Sequence, residues 1–587
     1  MRRARAACTA CALAACAAAA ATRPAHAQGA GALPEPADTL EVTGAARCDG
    51  EMVQEIVVYA SAPTVARVHR LPVVGAIARS THVTTRPDII RGFLLLKEGD
   101  VCSELARAES ERVLRVQPFI ADAEIDVVPV DGGVRLDVRT IDEASLLLGA
   151  RVRSGTPYVT AFRAGNSNVG GRGVYLQGEW RDGRATRDGG AIRLTDYQFL
   201  GEPYEFQLYA NRAPLGGEWH TTLARPFLTG LQRQGWRASG GSMTRYNDLQ
   251  HPDSQTHAIR FERSYADAGI MGRIGPPVRM GLVGLLVSHE RESVSDDLYA
   301  FTQEGAPIVV GAHPAPAPYH STRLNAFVGV RDLRFVRVQG FDALTATQDV
   351  PTGYQAGFMA GRGFEAPSAG GGMRELFVAG DVYLGGGDSV QATRLQLRGQ
   401  TVRSREDGKW GRTVATGRFA HQYKPAAHHL LELSADWAAA WRSGIPLQLM
   451  LGAKEGGVRG HDEERVGGAQ RARVSVEHRV VLGDVARIGD LGFAGFFDAG
   501  RVWRGDAPFG VTTPTRTSLG ISLLAAVPSR SARVWRLDVA MPMNGPNAHR
   551  VEFGLSRGDR TVVFWREPRD VSLLRGRSVP SSVFAWP

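Results

Sequence analysis

From Ser145 onward the chain alternates with period two, and no other feature of the sequence restricts its fold so strongly. Tyr204, Phe206, Leu208 and Ala210 alternate with Glu205, Gln207, Tyr209 and Asn211. Leu431, Leu433, Ala435 and Trp437 do so with Glu432, Ser434 and Asp436, and Trp535, Leu537, Val539 and Met541 with Arg536 and Asp538. Successive strand residues point to opposite faces, so each segment has one apolar and one polar side. Repeated across turn-rich gaps without helical blocks, the pattern fits a soluble β-sandwich array or a membrane barrel with lipid outside and water within. Beyond the first thirty residues no apolar run approaches the roughly 20 residues of a membrane helix. Any membrane crossing therefore falls to strands, and these must close on themselves, because an open edge in hydrocarbon leaves backbone groups unpaired at several kcal/mol each. At roughly 9 to 11 residues per spanning strand, this region holds about sixteen strands with their loops, plus or minus two.

The N-terminus favours the barrel. MRRARAACTACALAACAAAAATRPAHAQG has a basic start, an Ala-rich middle and a small-x-small ending at Ala25-His26-Ala27, so residues 1–27 read as a secretory signal peptide. A lipobox-like Leu13-Ala14-Ala15-Cys16 offers a rival cleavage before Cys16. Losing Arg2, Arg3, Arg5 and Arg23 lowers the formal charge from +9 to about +5. Spread over so long a chain, this is too weak a bias to recruit nucleic acid. Cys8, Cys11 and Cys16 lie within the signal, which leaves Cys48 and Cys102 for an oxidising compartment. A single disulfide and two free thiols are both open readings for that pair.

Residues 28–47, rich in Gly, Ala and Pro, read as a flexible lead. A compact unit follows over residues 48–143. Glu51 to Tyr59 is strand-like in its β-branched content. Arg86-Pro87 starts a helix whose apolar face is Ile89, Ile90, Phe93 and Leu94. Ser103 starts a second, with Leu105, Ala108, Val113 and Val116 at helical spacing before Pro118. Ala123, Ile125 and Val127, then Val134, Leu136 and Val138, make two strands about the Asp131-Gly132-Gly133 turn. This β-α-α-β-β order, with TRPDIIRGFLLLKEGD, ESERVLR and DGGVRLDVR, resembles a polypeptide-transport-associated (POTRA) domain. Ser61 to Ser80 departs from that family as an insertion after the first strand, and the sequence has room for one such domain.

The stretch Gly456 to Trp503 carries a second resemblance. It runs GGVRGHDEERVGG, ARVSVEHRVV and GFAGFFDAGRVW: a Gly-rich loop with Val458-Arg459-Gly460, a strand with Glu-x-Arg, and a strand with Phe-x-Asp-x-Gly. In that order the three resemble the signature of the outer-membrane assembly and translocation barrels. This superfamily includes the barrel assembly machine's central subunit, its translocation-and-assembly relative, the two-partner secretion exporters and the bacterial surface antigens. Gly165 to Gly173 resembles the turn after that family's first strand, and Arg550 to Ser556 its closing strand. TVVFW and SSVFAW follow after about residue 558, so the sequence leaves open which segment is the last strand.

The resemblance implies a fold, a location and a site. The fold is mainly β: a C-terminal transmembrane antiparallel barrel, residues 145–587, preceded by one small α+β POTRA-like domain in the periplasm. The location is the bacterial outer membrane, with the lipid bilayer, unfolded or exported client proteins, and periplasmic or lipoprotein partners. The implied function is to assemble, insert or translocate other proteins, with an exporter for one partner, a passive pore and a surface antigen as alternatives. The site is a loop folded back into the lumen, where Arg459 meets Asp498 foremost and Glu477 second, and Gly460 permits the turn. The alternative is Arg459 on a solvated outer loop. His461 stands where the family has Phe or Tyr, so docking is weakened there unless the imidazole stacks instead.

No bond-breaking chemistry is expected. The sequence has no Walker-type phosphate loop, no HExxH helix and no cysteine pair at metal spacing, so no cofactor or metal is assigned. Gly387-Asp388-Ser389 reads as a turn, His428-His429 as structural, and Asp462, Glu463 and Glu464 as a solvated loop tip.

Overall fold

The computed structural model describes residues 48–63, 82–152, 159–182, 188–213, 215–251, 256–302, 306–364, 375–405, 407–452, 456–462, 464–485, 489–557, 564 and 567–576. The lead 28–47, most of the insertion at 61–80, Glu463 and the SSVFAW segment lie outside them.

The N-terminal unit contains β1 (Asp49–Ser61), α1 (Pro87–Gly92), β2 (Val101–Ser103), α2 (Glu104–Val116), β3 (Ile120–Val130) and β4 (Gly133–Asp142). Its sheet order is β2-β1-β4-β3, with β1 parallel to β4 and the other pairs antiparallel. The short β2 adds a strand to the expected order. Val53, Ile56, Ile90, Phe93, Leu114, Ile125, Leu136 and Val138 form the core. Leu105 points outward at 40% exposure, because the buried face of α2 runs instead through Ser110, Val113 and Leu114. Cys48 and Cys102 are joined by a disulfide.

The rest is a closed antiparallel barrel. Its first strands are β5 (Leu146–Val152), β6 (Val159–Asn166), β7 (Val174–Arg181), β8 (Gly189–Asp196), β9 (Glu205–Arg212) and β10 (Gly217–Arg225). Longer ones follow: β11 (Gln234–Gln250), β12 (Thr256–Ile274), β13 (Arg279–Phe301), the short β14 (Pro307–Ala312), β15 (Tyr319–Gln339) and β16 (Thr347–Phe364). Next come β17 (Glu375–Gly387), β18 (Gln391–Ser404), β19 (Trp410–Ala426) and β20 (His429–Trp441). A small hairpin, β21 (Leu449–Met450) with β22 (Gly467–Gly468), stands apart from the wall. The wall ends with β23 (Gln470–Val485), β24 (Gly489–Trp503), β25 (Arg516–Ala526), β26 (Val534–Pro542) and β27 (Glu552–Arg557).

The ring contains twenty-one strands, more than the sixteen expected. The difference has two causes. Most connections are short, such as two residues between β19 and β20 and eight between β10 and β11, so more strands fit the same length of chain. In addition, β14 pairs with Asp297 to Phe301 of β13, beyond the part of β13 that β15 takes.

Alternation gives the wall two faces. Val283, Leu285 and Val287 of β13, Phe493 and Phe497 of β24, and Leu519, Ile521 and Leu523 of β25 are exposed outward. Ser288, Glu290 and Glu292 of β13 and Ser475 and Glu477 of β23 are buried on the inner side. An apolar exterior around a polar interior is the arrangement that hydrocarbon requires. No helix among the described residues is long and apolar enough to cross a membrane.

The N-terminal unit docks on one end of the barrel, here the near end. Asn168, in the turn after β6, donates from Nδ2 to Thr85 Oγ1 at 2.8 Å, and Thr85 donates to Asp142 from its backbone and its hydroxyl at 2.7 and 2.8 Å. Arg115 of α2 makes a two-point contact with Asp349 of β16 at 2.8 and 2.9 Å. Glu109 accepts from Thr229 in the turn after β10, and Glu143 accepts from Ser531 in the turn after β25. These anchors come from widely separated parts of the ring, so the unit lies across the near mouth.

Candidate functional site: a luminal clamp

Residues 442–469 join β20 to β23 and descend from the far end into the lumen. Val458 is fully buried against Leu451 and Val502. Gly460 has φ +81°, a left-handed conformation that costs an L side chain energy. A Cβ at Gly460 would also press within 3.2 Å of Pro542 Cδ and 3.3 Å of Ala540 Cβ. This turn aims Arg459 at the wall.

The wall was patterned to receive it. Alternation turns Ser475 and Glu477 inward on β23 and Phe496 and Asp498 inward on β24, and the register pairs Ser475 with Asp498 and Glu477 with Phe496. Arg459 donates from Nε to Asp498 Oδ2 and from Nη2 to Asp498 Oδ1, both at 2.7 Å. Its backbone N–H reaches the same carboxylate at 3.3 Å, Nη1 reaches Glu477 Oε2 at 3.3 Å, and Nη2 reaches Ser475 Oγ at 3.0 Å. Ser475 donates in turn to Asp498 Oδ1 at 2.6 Å. The guanidinium carbon also lies 3.4 Å from the Phe496 ring centroid.

Neighbouring charges extend the contact into a balanced network. Arg536 of β26 makes a two-point contact with Glu477 at 3.0 and 2.6 Å and reaches Asp538 at 2.6 Å. Arg479 reaches Glu477 at 3.3 Å. Three guanidiniums thus face the three carboxylates Asp498, Glu477 and Asp538. Asp498 is completely buried. Planar two-point geometry with satisfied remaining donors is what makes a buried pair hold.

A second anchor lies just beyond. His461 is buried, but it is held by polar contacts rather than by stacking. Its Nε2 lies 3.2 Å from the Thr517 carbonyl and its Nδ1 3.1 Å from Glu464. Arg516 grips Glu464 at 2.9 Å, so Glu464 is a buried partner and not part of a solvated tip. The Asp462 N–H donates to Glu552 of β27 at 3.1 Å, tying the loop to the last strand.

Sequence reasoning named Val458, Arg459, Gly460, Asp498 and Glu477, and these five stand together. It missed Phe496, Ser475, Arg536 and Gly520. Gly520 pairs with Phe496, and a Cβ there would fall 2.3 Å from Phe496 Cζ, so its absence makes room for the ring under Arg459. Phe496 and Ser475 sit two residues from Asp498 and Glu477, so period two places each beside its neighbour. Elsewhere, Gly387-Asp388-Ser389 is a turn in which Asp388 Oδ1 accepts from Val390 and Gln391. His429 stacks on His478.

No protein-family model and no curated protein matches the chain. Among solved structures it is similar to BamA from Haemophilus ducreyi lacking POTRA domains 1–3, at 12% identity and TM-score 0.37, over 86% of this chain and 85% of that one. It is similar to CdiB from Escherichia coli at 10% identity and TM-score 0.41, over 86% and 75%. CdiB from Acinetobacter baumannii matches at 11% and 0.35, over 86% and 72%.

Proposed function

We propose that the chain is an outer-membrane protein that assembles, inserts or translocates other proteins, with the unit at residues 48–143 in the periplasm. The observation that carries this reading is the clamp. A long far-end loop is drawn into a closed barrel and fixed by Arg459 to Asp498 and Glu477, while an α+β unit lies across the near mouth. A simple diffusion pore has no use for such an α+β unit.

Client strands would add to a sheet edge of the N-terminal unit, where main-chain hydrogen bonds give affinity without sequence demands. One edge is already taken at two places. Arg107 donates to the Ile125 carbonyl, Glu111 accepts from the Ile125 N–H, and Arg115 donates to the Ala123 carbonyl, all from α2 onto β3. On the other side β2 covers β1 only as far as Met52, so the stretch from Val57 to Ser61 is the edge that suits a client. The strands are short where the ends of the ring meet, with six residues in β27 and seven in β5. Few ladder bonds there make it the seam at which a client would enter the bilayer.

Depletion of the chain followed by a survey of the outer-membrane proteome tests the reading. Loss of barrel or surface proteins is expected, and an unchanged outer membrane contradicts it. Loss of one secreted protein alone would favour a dedicated exporter. A passive pore predicts steady conductance that deletion of residues 48–143 leaves unchanged.

A further inference from the structure

Phe564 and residues 567–576 lie within the lumen. Phe564 packs edge-on to Tyr383 of β17, with centroids 6.1 Å apart, and lies under the guanidiniums of Arg394 of β18 and Arg418 of β19 at 4.6 and 5.7 Å. Glu567 accepts from Thr416 of β19 at 2.9 Å and is paired with Arg575 of its own segment at 2.6 Å. A short helix, α3 (Arg569–Leu574), follows. Its Asp570 accepts from Arg471 of β23 at 2.6 Å, and its Leu573 carbonyl accepts from Arg263 of β12 at 3.3 Å. Val571 and Leu574 pack on Val414, Ala438 and Leu449, and Leu573 on Met243 and Phe261. Strands β12 and β23 lie far apart around the ring, so the helix sits across the interior beside the clamped loop. Pro568 approaches Gly456 so closely that a Cβ there would come within 2.6 Å of its ring.

We propose that the lumen contains a binding site for a peptide segment bearing an aromatic residue followed by a carboxylate on a short apolar helix, and that Phe564 and residues 567–575 of this chain fill it at rest. The wall supplies matching chemistry: cations over the aromatic ring, a guanidinium for the Asp570 carboxylate, and an apolar shelf for the helix. Arg471 gives the chemistry its sign. Its side chain is 4% exposed, and its carboxylate partner is Asp570, so withdrawing the tail strands a buried charge unless another acid replaces it. The occupancy stands on these contacts alone. Its consequence, that a client segment of the same acidic and aromatic chemistry displaces the tail in transit, rests on the transport reading above.

Planar-bilayer recordings test the site. Protein ending at residue 558 is expected to conduct several-fold more than the full chain. A synthetic peptide of residues 559–587 is expected to return it to the resting level, and the same peptide with Glu567→Lys and Asp570→Lys is not. Equal conductance with and without the tail, or equal block by both peptides, overturns the proposal. If the truncated protein does not form a heat-modifiable barrel, Asp570→Arg in the full chain is expected to raise conductance and Asp570→Arg with Arg471→Asp to lower it again. An unchanged Asp570→Arg channel overturns it equally. A failure of the transport reading leaves these recordings as they are and shows instead as an unchanged outer membrane on depletion.

Discussion

Arg459 and Asp498, 39 residues apart in the chain, meet through two parallel hydrogen bonds of 2.7 Å each, with the Asp498 side chain completely shielded from solvent. A planar fork on a planar carboxylate fixes direction as well as distance. The loop is therefore held in one orientation against β24.

Removing either partner is expected to strand the other. Breaking a buried pair costs about 3 to 5 kcal/mol, and the complete burial of Asp498 places this site in that range. Arg459→Ala and Asp498→Ala should each destabilise the barrel by that order, and the double mutant should lose no more than the worse single. Urea titration of the heat-modifiable form on gels measures this. Additive losses would remove the pairing.

The aromatic support should matter less. Phe496→Leu removes the ring face beneath Arg459 and is expected to cost about 1 to 2 kcal/mol. Gly520→Val sets a Cβ 2.3 Å from Phe496 Cζ and must displace the ring. Protease added from the far end should cut within residues 442–469 faster in Gly520→Val than in Phe496→Leu, and in both faster than in the parent. Equal rates in all three would show that the ring does not support the loop.

Docking of the N-terminal unit should depend on pH. Burial opposes ionisation of Glu109, but the hydrogen bond and charge of Arg112 and the hydrogen bond from Thr229 outweigh it and hold the carboxyl below its ordinary value. A carboxyl lowered in the folded state stabilises that state fully above the ordinary glutamate value of 4.5 and less as pH falls through the lowered one; Arg112 lies on α2 itself, so docking gains the part that the Thr229 hydrogen bond supplies. Cross-linking between α2 and the turn after β10 is expected to be constant from neutral pH to about 5 and to fall in stronger acid. In Glu109→Gln the acid-dependent fall should be reduced. An identical fall in that variant would assign the effect to another group.

The disulfide closes a loop of 54 residues, and removing it should cost the N-terminal unit about 2 to 4 kcal/mol. Cys48→Ser with Cys102→Ser should raise protease sensitivity in residues 48–143 while the barrel stays heat-modifiable. A unit as resistant as the parent would show that the bond adds nothing.

Much of this was readable because strand periodicity is local. Once Asp498 and Glu477 are assigned to neighbouring strands, alternation turns both inward, and a Gly-rich loop bearing Arg459 has somewhere to go. Phe496 and Ser475 lie on the same inward period, but neither carries a charge that would single it out in the sequence. Arg536 was seen as the polar face of its strand, but its contact with Glu477 spans 59 residues and depends on ring closure, which no local pattern encodes. The strand number failed because most connections are shorter than the expectation allowed, which leaves chain for further strands. The path of Glu567 and Asp570 into the lumen was invisible for a related reason: their partners, Thr416 and Arg471, are brought near only when the barrel closes.

Complementation of depleted cells is the most direct test. The chain is replaced by the parent, Arg459→Ala, Asp498→Ala or the double variant, and the outer-membrane level of the proteins lost on depletion is measured. The predicted result is recovery with the parent and a shared deficit in all three variants. Recovery with every variant to the parental level would contradict a role for the clamp in handling clients.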